Sequence, residues 1–320
     1  MLSARINIMN ILKLLTPTNL AEEKEKFFSN NQYNPEFQYL WEEEKIENDS
    51  DYLLKTALYE AVLEQDNEKI IKAALEYFAV DIESEHSNAI YDLGREYEKV
   101  EAFELDELVD AYRQAFRYFG LEHEIVINDH PGYGIRPQHK QQKLYISKAY
   151  SYQYMDIDGS VKHEMAHVIR YENGRYNVIK RSPDYLPTEE GLATYVQDYT
   201  PELKSSLFQH AAEYEASRVG VQGSLRDIFD HFISLGFDKD LAWQRAARHK
   251  FGFKDTKSPG DIIKPAMYYF NARRILKLDP NQIVKLFIGK IGIDQALEQK
   301  EYKGRFKKDK ICDFFDLKNL

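Results

Sequence analysis

The 320-residue chain has a single cysteine, Cys312, which excludes an intramolecular disulfide framework and a Cys-rich zinc ribbon. Its 10 prolines and 15 glycines are dispersed, leaving no low-complexity linker and no internal repeat. No apolar run approaches the roughly 20 residues that a membrane helix needs. There is no G-x-x-x-x-G-K-[ST] phosphate loop, and the GYG at 132–134 lacks the final glycine of a dinucleotide loop. Positive charge is in deficit, with 43 Lys+Arg against 53 Asp+Glu. A net charge of −10 disfavours bulk nucleic-acid binding, which needs a basic surface to neutralise phosphates. The opening MLSARINIMNILKLLTPTN has a short, Asn-interrupted apolar patch and no A-x-A site, so it is read as a mature N-terminus. A reducing cytoplasm, with no membrane and no nucleic-acid partner, is the expected setting.

Apolar residues make up 43% and aromatics 13%, enough for a substantial core. Charge is divided unevenly: residues 1–120 carry 12 basic and 26 acidic side chains, and residues 121–320 carry 31 and 27. The expected organisation is an acidic helical lobe over 1–120 and a single compact catalytic region over 121–320. Within the first, 14–41 reads as a capped helix followed by an aromatic arm in which Tyr33, Pro35, Phe37, Tyr39 and Trp41 alternate. Four-residue spacing of Leu54, Leu58 and Val62, continuing to Ile70, Ala74 and Phe78, predicts one helical run over 51–79. A helix over 104–119 ends at Gly120.

The period then changes. HEIVIND (123–129) and KLYISKAY (143–150) read as strands around a Pro/Gly-rich turn, HPGYGIRP. A helix at about 160–172 is expected to be capped by Asp158 or Ser160 and stopped by Asn173-Gly174. Helices are then expected at 188–199, 201–218, 224–235, 239–250, 260–277 and 280–288. The fold class is α+β: mostly helical, with a small mixed sheet just before the helix at 160–172.

That helix carries H-E-x-x-H. Residues four apart share a helical face, so His163 and His167 can ligate one metal ion. Glu164 is rotated by about 100° from His163, beside the metal rather than on it. By chance the motif is expected roughly 0.02 times in such a chain, which makes it uncommon but not decisive alone. Downstream, PTEEGLATYVQDY places Glu189 and Glu190 in the first turn of another helix, Glu190 being 23 residues beyond His167. A glutamate from a following helix is the expected third ligand of a His-His-Glu zinc site, with the fourth position left for water. Glu190 is the favoured ligand, and Glu189 faces solvent or supports a ligand from behind. Glu164 is then the general base.

These residues resemble the family with a QEGLA motif that includes the microtubule-associated tyrosine carboxypeptidases. The resemblance rests on LTPTNLAEEKEKFF and YNPEFQY, on HEMAHVIRYENG, on TEEGLATY, and on SLRDIFDHFISLGFDKDLAWQRAARHKFGF followed by SPGDIIKPAMYYFNARRI. It implies a zincin-like metallopeptidase, a carboxypeptidase with Zn2+ held by His163, His167 and Glu190. Its substrate would be a peptide or protein C-terminal tail, acidic or Tyr-ended. Arg170 and Asn173 match the polar tail of the first motif helix. Arg248, Lys250 and Lys264 match basic positions suited to a substrate carboxylate, and Tyr268 matches a tyrosine suited to an oxyanion. Arg170 has a second reading, orienting a ligand carboxylate.

Three departures stand out. The histidines are four apart where the family commonly has five, Pro265 replaces Asp, and Phe251 replaces Arg, which bears on substrate preference. The strand at 143–150 is expected to offer an edge to an extended substrate. The competing functional readings are a non-catalytic, metal-stabilised binding or regulatory protein, and a zinc endopeptidase or aminopeptidase.

Overall fold

The computed structural model describes residues 15–41, 50–95, 103–129, 134–148, 156–199 and 205–317. Most of the opening stretch, part of the HPGYGIRP turn, the end of the 143–150 strand and the start of the 201–218 helix lie outside them.

Among the described residues the helices are α1 (Leu20–Ser29), α2 (Tyr52–Glu64), α3 (Asn67–Phe78), α4 (His86–Leu93) and α5 (Leu105–Phe119). Three strands follow, β1 (Glu124–Asn128), β2 (Ile135–Gln138) and β3 (Lys143–Ser147). Then come α6 (Ile157–Tyr176), α7 (Tyr185–Asp198), α8 (Ser205–Gly220), α9 (Leu225–Ser234) and α10 (Lys239–His249). The last are α11 (Lys264–Leu276), α12 (Pro280–Lys285), α13 (Ile293–Leu297) and α14 (Lys308–Phe314). The protein is thus mostly helical with one small mixed sheet, and none of these helices is long and apolar enough to cross a membrane.

The chain forms two compact units, one of residues 1–90 and 212–267, the other of 91–211 and 268–320. The dividing points fall inside α4, α8 and α11.

In the first unit Phe27 of α1 packs edge-on against Phe229, their centroids 5.0 Å apart, and against Trp243 at 4.9 Å. Arg226 lies over the Phe27 ring and donates to the carbonyls of Phe27, Asn30 and Tyr33, closing the C-terminal end of α1. The aromatic arm is extended. Phe37 is buried, its N–H donates to Lys254 O, and Glu36 bridges to Asp255. The expected single helix over 51–79 is two helices. Gln65 turns left-handed (φ 55°), and the Asp66 carboxylate then caps α3 by accepting from Lys69 N. The apolar spacing runs across this break because both helices bury the same kind of stripe.

In the second unit α5 ends on Gly120 at φ 65°, a left-handed position that glycine adopts without steric cost. The sheet order is β1-β3-β2, with β1 parallel and β2 antiparallel to β3. β2 takes up residues expected to be turn. Because β2 and β1 flank it, β3 is the central strand, so the expected open edge at 143–150 is occupied on both sides.

Helix α6 is longer than expected at both ends. Asp156, not Asp158 or Ser160, caps it by accepting from Gly159 N at 2.5 Å. Asn173 and Gly174 lie inside the helix rather than stopping it. Asn173 donates from Nδ2 to Phe287 O at 2.8 Å, and Gly174 faces Gly289, on which a Cβ would sit 3.2 Å from the Gly174 Cα. The Asn-Gly pair that reads as a terminator is a packing contact. Met165, Ala166, Val168 and Ile169 are buried along α6, which makes it the core helix of the unit.

Candidate metal centre

His163 and His167 project from one face of α6, and Glu190 reaches them from the first turns of α7. One ligand atom from each lies within 4.8 Å of the other two, among the described residues the one such grouping of three or more His, Cys, Asp or Glu. Glu190 Oε2 is 3.6 Å from His167 Nε2 and 4.0 Å from His163 Nε2, and the two rings are 5.1 Å apart.

The other face of each imidazole is engaged. His163 Nδ1 is 2.7 Å from Gln197 Oε1, an amide oxygen that only accepts, so Nδ1 carries the hydrogen. His167 Nδ1 donates to Glu189 Oε1 at 3.0 Å. Both Nε2 atoms therefore face the same point as Glu190. A cation at that point would meet two nitrogen donors and one carboxylate, the donor set of a catalytic zinc site. The residues present fit such an ion.

Glu189 is buried and has more than one partner. Lys290 Nζ donates to its Oε1 at 2.6 Å, and Arg170 Nη1 lies 3.7 Å from its Oε2. Burial alone would raise its pKa, but Lys290, His167 and Arg170 together hold the carboxyl well below its ordinary range. Burial likewise opposes a charged His167, yet the Glu190 and Glu189 carboxylates outweigh it and lift the imidazole to about 9. His163 goes the other way: desolvation and the neighbouring His167 and His210 hold it well below the usual histidine value. Desolvation, reinforced by Glu190 and Glu189 against the pull of His167, pushes the Glu164 carboxyl up to about 7.

The remaining candidates fall in different places. Arg170 is fully buried and donates to Gly289 O at 3.0 Å and Ile291 O at 2.7 Å. A substrate cannot reach it, and its contact with Glu189 favours the orienting reading. Asn173 is equally buried between Phe287 O and Tyr302. Tyr268, on α11, stacks on His210 with centroids 5.8 Å apart. Arg248, Lys250 and Lys264 belong to the first unit, whereas the metal-ligand group belongs to the second. Lys250 is buried, its ammonium held by the carbonyls of Gly223, Ser258 and Gly260 and more distantly Gly220, so no proton is left for a substrate carboxylate.

Gln197, Lys290, Asp198 and His210 escape sequence reasoning. Gln197 had a signal, since it lies seven positions after Glu190, two turns along one face of α7. Lys290 had none, because it sits in an irregular segment without period.

No protein-family model matches the chain. It is 26% identical over 294 residues to microtubule-associated tyrosine carboxypeptidase 1 of Rattus norvegicus. The mouse protein of that name is 26% identical over 292 residues, and the human one 27% over 287. Each alignment covers 83% of this chain and 56% of the relative, so the chain spans about half the length of the curated relatives it matches.

Proposed function

We propose that this chain is a zinc-dependent metallopeptidase of zincin-like fold, carboxypeptidase-like, that hydrolyses the C-terminal peptide bond of a polypeptide tail. The observation that carries the reading is the convergence of His163 Nε2, His167 Nε2 and a Glu190 oxygen, with both Nδ1 atoms already committed to acceptors. The distant likeness to tyrosine carboxypeptidases favours tails ending in tyrosine.

A divalent cation held there would supply a Lewis acid that polarises the scissile carbonyl. Glu164, one residue from His163 and lifted toward neutrality by desolvation, accepts a proton from the attacking water and returns it to the leaving amine. Glu189 keeps His167 oriented, and Gln197 does the same for His163. Tyr268 is the candidate hydroxyl donor to the developing oxyanion.

The test pairs metal analysis with turnover of a Tyr-ended peptide and its C-terminally amidated form. Wild-type protein should hold one zinc, release tyrosine from the free acid only and lose activity to a chelator. His163→Ala should lose the metal. Glu164→Gln should keep the metal and lose about 100- to 10,000-fold in kcat. Turnover by Glu164→Gln at the wild-type rate, or turnover insensitive to chelation, would refute the assignment.

A further inference from the structure

Residues 300–310, KEYKGRFKKDK, hold six Lys and Arg against two Asp and Glu, the reverse of the balance in the whole chain. The fold sorts these cations. Arg305 is drawn onto the buried Glu172 of α6, and Lys310 turns its ammonium over the Tyr118 ring, 4.8 Å from the centroid. Lys303, Lys307 and Lys308 instead line an open cleft of about 440 Å³, together with Tyr176, Tyr302 and Phe306. No carboxylate is among the described residues that line it. The three ammonium groups are weakly committed. Lys303 lies 3.5 Å from Glu301, but both side chains are largely exposed and water screens the pair. Lys308 donates to the neutral amide oxygen of Asn281 at 2.8 Å, and Lys307 has no side-chain partner among the described residues.

The cleft is built into the fold. Asn173 Oδ1 accepts from Arg305 N at 2.8 Å, Asn177 Nδ2 donates to Lys303 O at 2.9 Å, and Tyr302 donates to Phe306 O at 2.9 Å. The lysines therefore stand on a segment fixed to the end of α6. Beside it, Val178 has φ 55°, a left-handed position just past a helix that usually falls to glycine or asparagine and that a β-branched side chain enters at steric cost. Its side chain is 86% exposed, so no burial offsets that cost, and Tyr176 is 65% exposed. Neither feature serves the fold. The closing carbonyls of α6 are met by backbone, Gly174 O by Ile179 N–H at 2.9 Å and Arg175 O by Val178 N–H at 3.3 Å, so the lysines are not needed as caps. A strained, exposed apolar residue beside uncommitted cations suits a surface shaped for a partner.

We infer that this cleft is a second binding surface, which takes an internal segment of an acidic polypeptide. Carboxylates of the segment meet Lys303, Lys307 and Lys308, and an apolar side chain covers Tyr176 and Val178. Lysine serves any anion as a point charge, but a simple anion has nothing to offer the exposed apolar pair, which selects a polypeptide. The segment is internal because the guanidinium that could grip a terminal carboxylate with two bonds, that of Arg305, is engaged by Glu172. Tyr176 lies nine residues beyond His167, about 14 Å along the helix axis and about half a turn around it, so the cleft is apart from the candidate metal centre. The inference does not depend on the peptidase reading.

Fluorescence anisotropy of the full chain with a fluorescein-labelled, C-terminally amidated octapeptide of six glutamates, one leucine and one phenylalanine tests this. We expect saturable binding that a zinc chelator leaves unchanged and that weakens about tenfold between about 50 and 300 mM salt. Replacing Lys303, Lys307 and Lys308 together by alanine should weaken it about tenfold with circular dichroism unchanged. Exchanging the two apolar residues of the peptide for serine should cost about threefold. Val178→Gly separates binding from folding, since it should raise Tm by about 1 °C and still weaken binding about threefold. Absence of saturation by about 1 mM, full affinity in the triple-lysine variant, or a stabilised Val178→Gly with full affinity overturns the inference. Three further results overturn it by naming another occupant. Equal binding of the serine peptide with displacement by inorganic tripolyphosphate marks a simple anion site, loss of binding on chelation marks the metal centre, and dimers abolished by the triple-lysine change mark a second copy of the chain.

Discussion

Gly191, immediately after the ligand Glu190, sits where two opposing effects can be weighed. It lies inside α7, where exchange for alanine should by helix propensity alone stabilise the protein by about 1 kcal/mol. The opposing term is steric. A Cβ at Gly191 would lie 2.7 Å from Asn271 Cβ, 2.9 Å from its carbonyl carbon and 3.0 Å from its carbonyl oxygen. Two of those three atoms are backbone in the middle of α11, and Asn271 is fully buried, so nothing nearby yields cheaply. Overpacking of this kind costs about 1–3 kcal/mol, and three contacts at or below 3.0 Å put it near the upper end. The net expectation for Gly191→Ala is a loss of about 2 kcal/mol, or about 3 °C in Tm at the usual unfolding entropy per residue. Because α7 must shift away from α11, Glu190 moves with it, and zinc affinity should fall about tenfold. Truncating the partner, as Gly191→Ala with Asn271→Gly, should not restore it, because the backbone contacts remain. Thermal unfolding of the metal-free protein and zinc titration against a competing chelator read the two effects. A variant that is more stable than wild type and binds zinc equally well would show that propensity wins and that the α7–α11 approach is not tight.

Glu189→Gln should lower zinc affinity about 10- to 100-fold with the three ligands intact, read by chelator competition, because His167 loses its carboxylate partner and Lys290 its nearest counter-charge. The buried His249 bonds Asp261 through Nδ1 and Glu213 through Nε2, each at 2.7 Å, and Glu213 also pairs with Arg245. Desolvation opposes a charged His249, but Asp261 and Glu213 raise it to about 9. Raised above its unfolded value of about 6.5, it contributes stability fully below that pH and loses it as pH rises through about 9. Glu213, lowered despite burial by Arg245 and His249, contributes above about 4.5 and loses that in acid. Denaturant unfolding should therefore show the advantage of wild type over His249→Asn shrinking by about 3 kcal/mol between pH 6.5 and 9. A gap constant over that range would refute the charged assignment.

The parts of the site legible in the sequence were those carried by helical period. His163 and His167 share a face of α6 because 3.6 residues per turn puts them there, and Glu190 sits at the start of the next long helix. The parts not legible depend on tertiary approach. Nothing local marks Lys290 as the partner of Glu189, or His210 as the partner of Asp198 across residues outside any shared helix. Asn173-Gly174 misled for the same reason. The pair has the composition of a helix stop, but Asn173 bonds Phe287 O and Gly174 lies in van der Waals contact with Gly289, so the helix runs on through it. At 143–150 the strand was readable from its alternation, yet its central place was not, since β2 hides in a Pro/Gly-rich stretch.

The irregular stretch 287–292 holds α6 through Phe287 O on Asn173, Gly289 O and Ile291 O on Arg170, and the Gly289 backbone on Gly174. The same few residues deliver Lys290 to Glu189. Though it has neither α-helix nor strand beyond the end of a 3-10 turn at Leu286–Ile288, this stretch has the intolerance to change of a hydrophobic core. Adding or removing a single residue there would throw the spine of the second unit and the electrostatics behind His167 out of register at once. Variation in length among related chains should therefore collect in other connections and spare this one.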